Sequence, residues 1–234
     1  MQIANKGPAS TTGIGSLPHH NVDAAIEYAF RFGIPFLPQI PIRNPWEFMI
    51  PQALDGLPGL QVERDGAFSL SLEVWQSRSN ELSDRLEAAF SSLDFSRFEP
   101  SAPASSCWQP FVWELEERDV KFAKIQIAGP MTAQWSLRVM AHPISGTREI
   151  VSMDRFPELG TQIYRLVLAK GLAMIRRLSA SGIRSMIFLD EPALYAYSHS
   201  NPRQVLALQE LKLMLQSFKK EGAVTGLHCC SNTD

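Results

Sequence analysis

Cysteine is scarce in this chain: there are three in 234 residues, and two of them are adjacent, at 229 and 230. Neighbouring cysteines can form only a strained disulfide with each other, and an odd count leaves one over. A disulfide-stapled secreted framework is therefore excluded and the cytoplasm is the expected compartment. Long apolar runs are also missing. None approaches the roughly 18 residues that span a bilayer, and Met1–Ser10 is polar, so neither a membrane span nor a signal peptide is expected. An excess of one charge is lacking too: 22 Lys+Arg stand against 24 Asp+Glu, for a formal net charge of −2. Without a Lys/Arg cluster the chain has no electrostatic footprint for nucleic acid or an anionic membrane, and a small molecule or a protein is the expected partner. What is present is 45% hydrophobic residues. That is enough to bury a large core, in one barrel-sized domain or two smaller ones.

Taken in order, Thr11–Pro18 reads as a short strand ending in Gly15 and Ser16, where small residues let a ligand approach the backbone. Asn21 is an N-cap for a helix with Ala24, Ala25, Tyr28, Ala29 and Phe32 on its apolar face, stopped by Gly33. Ile34–Ile40 is a second strand, irregular because of Pro35 and Pro38. Together these make a βαβ unit. Residues 41–123 then read as an excursion from the rhythm. It holds a hairpin over Gln61–Leu72 about an Asp65-Gly66 turn, helices over Ser79–Leu93 and Ser106–Arg118, and Trp46, Trp75, Trp108 and Trp113, which are expected to pack the excursion onto the body.

Regularity returns with a strand at Lys124–Ala128 running into Gly129-Pro130, then a helical segment around Thr132–Met140. A long helix over Pro157–Ala180 carries an apolar stripe through Leu159, Ile163, Leu166, Val167, Met174 and Leu178. Arg184–Leu189 is a strand ending in Asp190-Glu191-Pro192. Asn201-Pro202 caps a further helix to about Lys220, and Gly222 precedes a last strand, Val224–His228. Five strands alternating with helices, each ending in polar or small residues, predict parallel neighbours in chain order whose C-terminal ends share one face.

His228-Cys229-Cys230 has an alternative reading as ordinary packing, since cysteine is often a small buried apolar residue. Its functional reading is a soft-ligand pair. On an extended segment residues 228 and 230 point to one side and Cys229 to the other, and imidazole with thiolate suits zinc.

The ordered set Ile14-Gly15-Ser16-Leu17-Pro18, Gly129-Pro130-Met131-Thr132 with Trp135-Ser136, Asp190-Glu191-Pro192-Ala193-Leu194 and His228-Cys229-Cys230-Ser231-Asn232 resembles the catalytic half of cobalamin-independent methionine synthases. The resemblance spans nearly the whole chain. It implies a (β/α)8 TIM-barrel fold, of which this chain carries about five of eight strands as one incomplete domain with an insertion at about 41–123. It further implies zinc-dependent methyl transfer to the thiol of homocysteine. By the same resemblance Ile14, Gly15, Ser16 and Asp190 contact the amino-acid substrate, and His228 and Cys230 are zinc ligands.

This chain departs from that family in several places. The first motif lies at residue 14, which matches a short, core-only form and leaves the methyl donor open between a methyl-corrinoid and methyltetrahydrofolate. Trp135 sits one residue closer to Gly-Pro than in the long synthases. Gln39 stands about where the family has a substrate-binding glutamate. The family's remaining zinc ligands, a glutamate and a second cysteine, belong to later strands, so the chain is expected to be truncated at Asp234, its open edge covered in a homo-oligomer if by anything. Two alternatives stand beside this reading: a coenzyme M-type thiol methyltransferase, and a non-catalytic truncated barrel that binds a partner. The Ile-Gly-Ser and Asp-Glu-Pro-Ala motifs favour an amino-acid thiol, and His-x-Cys argues against a metal-free decarboxylase of the same superfamily.

Overall fold

The structure, a computed structural model, describes residues 11–141 and 149–230. In chain order the helices and strands are α1 (Val22–Ala29), α2 (Met49–Leu54), β1 (Leu60–Val62), β2 (Phe68–Ser71), α3 (Leu72–Ser92), α4 (Trp108–Glu117), β3 (Phe122–Ala128), α5 (Pro130–Ser136), β4 (Arg138–Ala141), β5 (Glu149–Val151), α6 (Pro157–Ala180), β6 (Arg184–Asp190), α7 (Pro202–Lys220) and β7 (Val224–His228). They form a mixed α/β fold with two open sheets: a parallel sheet of order β3-β6-β7, and a four-stranded mixed sheet of order β1-β2-β4-β5.

The parallel sheet carries the strand ends singled out from the sequence. Its register sets Ala128 opposite Asp190 and Asp190 opposite His228. Two further segments extend it on the β3 side by single parallel bridges, Phe36 to Lys124 and Ser16 to Gln39. The five segments foreseen from the sequence are thus parallel neighbours in chain order, but the first two do not form ladders. Pro35 and Pro38 lack the N–H groups a ladder needs, and the surviving bonds include Lys124 N–H to Pro35 O, Leu37 N–H to Lys124 O, Gln39 N–H to Gly15 O, Leu17 N–H to Gln39 O and Ile34 N–H to Thr11 O. Among the described residues the arc stays open, and no closed barrel is formed.

The outer face of the arc is apolar. Ile125, Ile127, Ile187 and Leu189 are buried together with the inward stripes of α6 and α7. A Cβ on Gly171 of α6 would stand 2.3 Å from the ring of Phe218 on α7, so glycine permits the close approach of these helices over Ile187. Asn21 and Asn201 cap α1 and α7 as their sequences indicate, each accepting a backbone N–H through its side chain. α6 has the bounds foreseen from its periodicity.

Three expectations need correction. α3 begins at Leu72, well before Ser79, because Ser71 caps it through Val74 N–H and both Leu72 and Trp75 are buried on its first turns. The helical segment expected to run to Met140 ends at Ser136, and Arg138–Ala141 is a strand instead. It pairs in parallel with β2, so the second sheet joins the 41–123 excursion to residues beyond it. Finally, Trp75 and Trp108 are buried as packing residues, but Trp113 is 58% exposed. Trp75 also anchors α3 to α6 by donating from Nε1 to Gln162 Oε1 at 2.8 Å. Among the described residues no helix is long and apolar enough to cross a membrane.

Candidate functional site at the C-terminal strand ends

Lys124, Gln126, Phe188, Asp190 and His228 lie at alternating positions that share the inner face of the arc, Gln126 opposite Phe188 and Asp190 opposite His228. The Lys124 Nζ lies 5.1 Å from the centroid of the Phe188 ring and donates to Ile14 O at 2.6 Å and to Gln126 Oε1 at 3.1 Å. Gln126 in turn donates to Leu37 O at 2.7 Å. Gly15, at φ +140°, lies against this amide: a Cβ there would come within 2.4 Å of Gln126 Nε2. Glycine at this position is therefore required both by its backbone angle and by the close approach of Gln126.

Asp190, at the end of β6, is 6% exposed, and its Oδ1 lies 3.1 Å from His228 Nδ1 at the end of β7. Burial raises the Asp190 carboxyl above its ordinary range, against the hydrogen bond from His228 and the positive charge of Lys124. The next residue, Glu191, is fully buried. Its carboxylate accepts from Met131 N–H at 3.0 Å, Thr132 N–H at 2.7 Å and the Thr132 hydroxyl at 2.6 Å, which fastens the first turn of α5 to the end of β6. Gly129 makes room for it, since a Cβ there would meet Glu191 Oε1 at 2.1 Å.

Of the residues singled out from the sequence, the fold brings Asp190 and His228 into direct contact. It links Ile14 to them through Lys124. Ser16 is exposed at the end of its segment, its hydroxyl 3.5 Å from Gln39 Oε1, with no hydrogen bond to Asp190 or His228. Cys229 is half-buried with Sγ 4.0 Å from Pro192 O, whereas Cys230 is exposed. Ser231 and Asn232 of the last motif lie outside the described residues, as do Met1–Ser10 and Asp234. The donors present suit zinc in kind, an imidazole nitrogen and a thiol sulfur, but among the described residues no group of three or more His, Cys, Asp or Glu side chains is assembled around one point. These candidate residues lie on the open inner face of the arc, apart from a surface depression at the other end of the sheet. That depression, lined by Gly182, Arg184, Ser185 and Gly222, lies at the opposite ends of β6 and β7.

The sequence motifs assign no separate role to Lys124, Gln126 or Glu191. The signal for the first two is the Lys-x-Gln alternation inside an otherwise apolar strand, which sets two polar groups on the face away from the helices. Comparison with protein families, characterised proteins and solved structures gives no match. The site is thus defined by its own geometry: a buried carboxylate beside a partly exposed imidazole at adjacent parallel strand ends, with a buried ammonium on the same face and two cysteines following in the chain.

Burial lowers the Lys124 pKa to about 8, opposed by the nearby Asp190 charge. The unfolded chain therefore holds more protons than the folded one between about pH 8 and the ordinary lysine value of 10.5. Lys124 thus contributes stability that is present above 10.5 and is lost as the pH falls through about 8. Chemical denaturation of the wild type and Lys124→Met across pH 7 to 11 should show their stability difference moving in favour of the wild type over this window, by up to roughly 1.4 kcal/mol per pH unit. The buried Lys170, present in both proteins, cancels in that difference. A pH-independent difference would mean that the Lys124 ammonium is hydrated.

Proposed function

We propose that the protein is a zinc-dependent methyltransferase acting on the thiol of homocysteine, built on part of a (β/α)8-type barrel, with a methyl-corrinoid or methyltetrahydrofolate as donor. The observation that carries this reading is the Asp190–His228 pair at 3.1 Å on adjacent strand ends, with Cys230 two residues beyond His228. The ordered motifs resembling cobalamin-independent methionine synthases add the substrate class.

In this reading His228 and Cys230 would hold the zinc, with further donors needed beyond these two. Bound there, zinc supplies a lowered thiol pKa, so that the substrate sulfur is a thiolate at neutral pH. The chain's own residues do the positioning. The Asp190 carboxylate attracts the substrate ammonium, and the exposed Ser16 hydroxyl after the Gly15 turn offers a donor to its carboxylate. Holding both ends fixes the sulfur near the His228–Cys230 edge, which is where orientation contributes to rate. Lys124 ties the Ile14 carbonyl to the Asp190 side of the site and keeps these groups in register.

Purified protein should take up zinc and, when loaded, form methionine from homocysteine and one of the two donors. Zinc uptake with methylation of coenzyme M but not of homocysteine would move the substrate to the coenzyme M class. No zinc uptake and no methyl transfer would favour the partner-binding alternative.

A further inference from the structure

We infer that Asp190 is the outer-sphere anchor of His228: its Oδ1 accepts the His228 Nδ1–H, which selects the tautomer that leaves the Nε2 lone pair free for a metal. This deepens the zinc reading above and rests on it. Asp190 and His228 are register partners on adjacent parallel strands, so their side chains leave the sheet side by side on one face. The backbone is held on both sides of the pair. Gly129 N–H donates to Asp190 O at 2.9 Å and Glu191 N–H to His228 O at 2.8 Å, so neither strand end can drift from the other. Asp190 is nearly fully buried, whereas the His228 side chain keeps 29% exposure, so the imidazole edge away from the carboxylate is the one open to a ligand.

A carboxylate on one ring nitrogen of a metal-binding histidine fixes the ring's orientation and raises its basicity. Asp190 Oδ2 has no hydrogen-bond partner among the described residues and stays open for the substrate ammonium, so the two oxygens divide two tasks. Asp190 is thereby a positioning residue for the metal ligand as well as a substrate contact.

The test uses the full chain and two variants. Asp190→Asn keeps an oxygen acceptor for Nδ1–H but loses the charge, and Asp190→Ala loses both. In the metal-free protein at a pH where the imidazole is neutral, nitrogen-15 shifts should place the wild-type His228 proton on Nδ1. That preference should persist in Asp190→Asn and disappear in Asp190→Ala, with His228→Gln identifying the resonance. Competition with a chromogenic chelator should show zinc affinity about 10- to 100-fold weaker in Asp190→Ala and less than about 10-fold weaker in Asp190→Asn. Homocysteine affinity should fall in both, because both lose the anion. A wild-type His228 with its proton on Nε2, or an Asp190→Ala protein that binds zinc as tightly as the wild type, overturns the inference while leaving the zinc reading intact. A wild type that binds no zinc overturns the zinc reading and the metal-orienting role together.

Discussion

Glu191→Ala should lower the stability of the protein by roughly 3–5 kcal/mol, which for a chain of this size is a fall in Tm on the order of 10 °C. The carboxylate is fully buried and takes three donors from residues 131 and 132. Removing it leaves two backbone N–H groups and a hydroxyl without their acceptor, together with a void beside Gly129. Glu191→Gln is the informative companion. It keeps the shape, but its amide nitrogen must face a donor at either oxygen position, so an intermediate loss of roughly 1–3 kcal/mol is expected.

The pH dependence has a definite sign as well. Burial raises the Glu191 pKa above the ordinary carboxylate value despite the three donors that favour the ionised form. The folded state therefore holds its proton to higher pH than the unfolded chain. Its contribution is fully present below the ordinary carboxylate pKa and is lost as the pH rises through the raised folded value. Glu191→Gln should flatten that part of the stability profile. Urea denaturation at several pH values measures both effects. A loss below about 1 kcal/mol in Glu191→Ala would mean that water replaces the carboxylate and that the clamp on α5 is not structural.

His228→Ala and Cys230→Ser should each abolish stoichiometric zinc binding and, with it, methyl transfer. Only two donors for the site stand among the described residues, so removing either takes away half of that set and leaves too few ligands there for stable zinc binding. The neighbouring cysteine is the control. Cys229 lies against the Pro192 carbonyl, so Cys229→Ser should retain zinc and activity. Metal content by elemental analysis, alongside turnover, reads both outcomes. Zinc lost on changing Cys229 and kept on changing Cys230 would exchange the roles of the two thiols and show that the segment is not extended past His228.

What the sequence determined by itself is the set of local signals. The caps at Asn21 and Asn201, proline at the first position of α6 and α7, the apolar stripe of α6 and the Asp65-Gly66 hairpin act within one or two turns of chain, and each is found where its residues indicate. Short apolar strands ending in polar residues also gave the order and direction of the parallel arc, because strand, helix and strand in succession allow little else. Tertiary structure decided what depends on distant partners. Arg138–Ala141 became a strand because β2 offered it a parallel edge, a pairing absent from any local pattern. Proline reduced the first two segments to single bridges, and neighbouring strands alone supplied their remaining bonds. Asp190 met His228 only because register placed residues 38 apart side by side. Glu191 turned to the N–H groups of α5, and Lys124 to the inner face, because a buried charge must find whatever donors, acceptors or aromatic faces the packed strands bring near it.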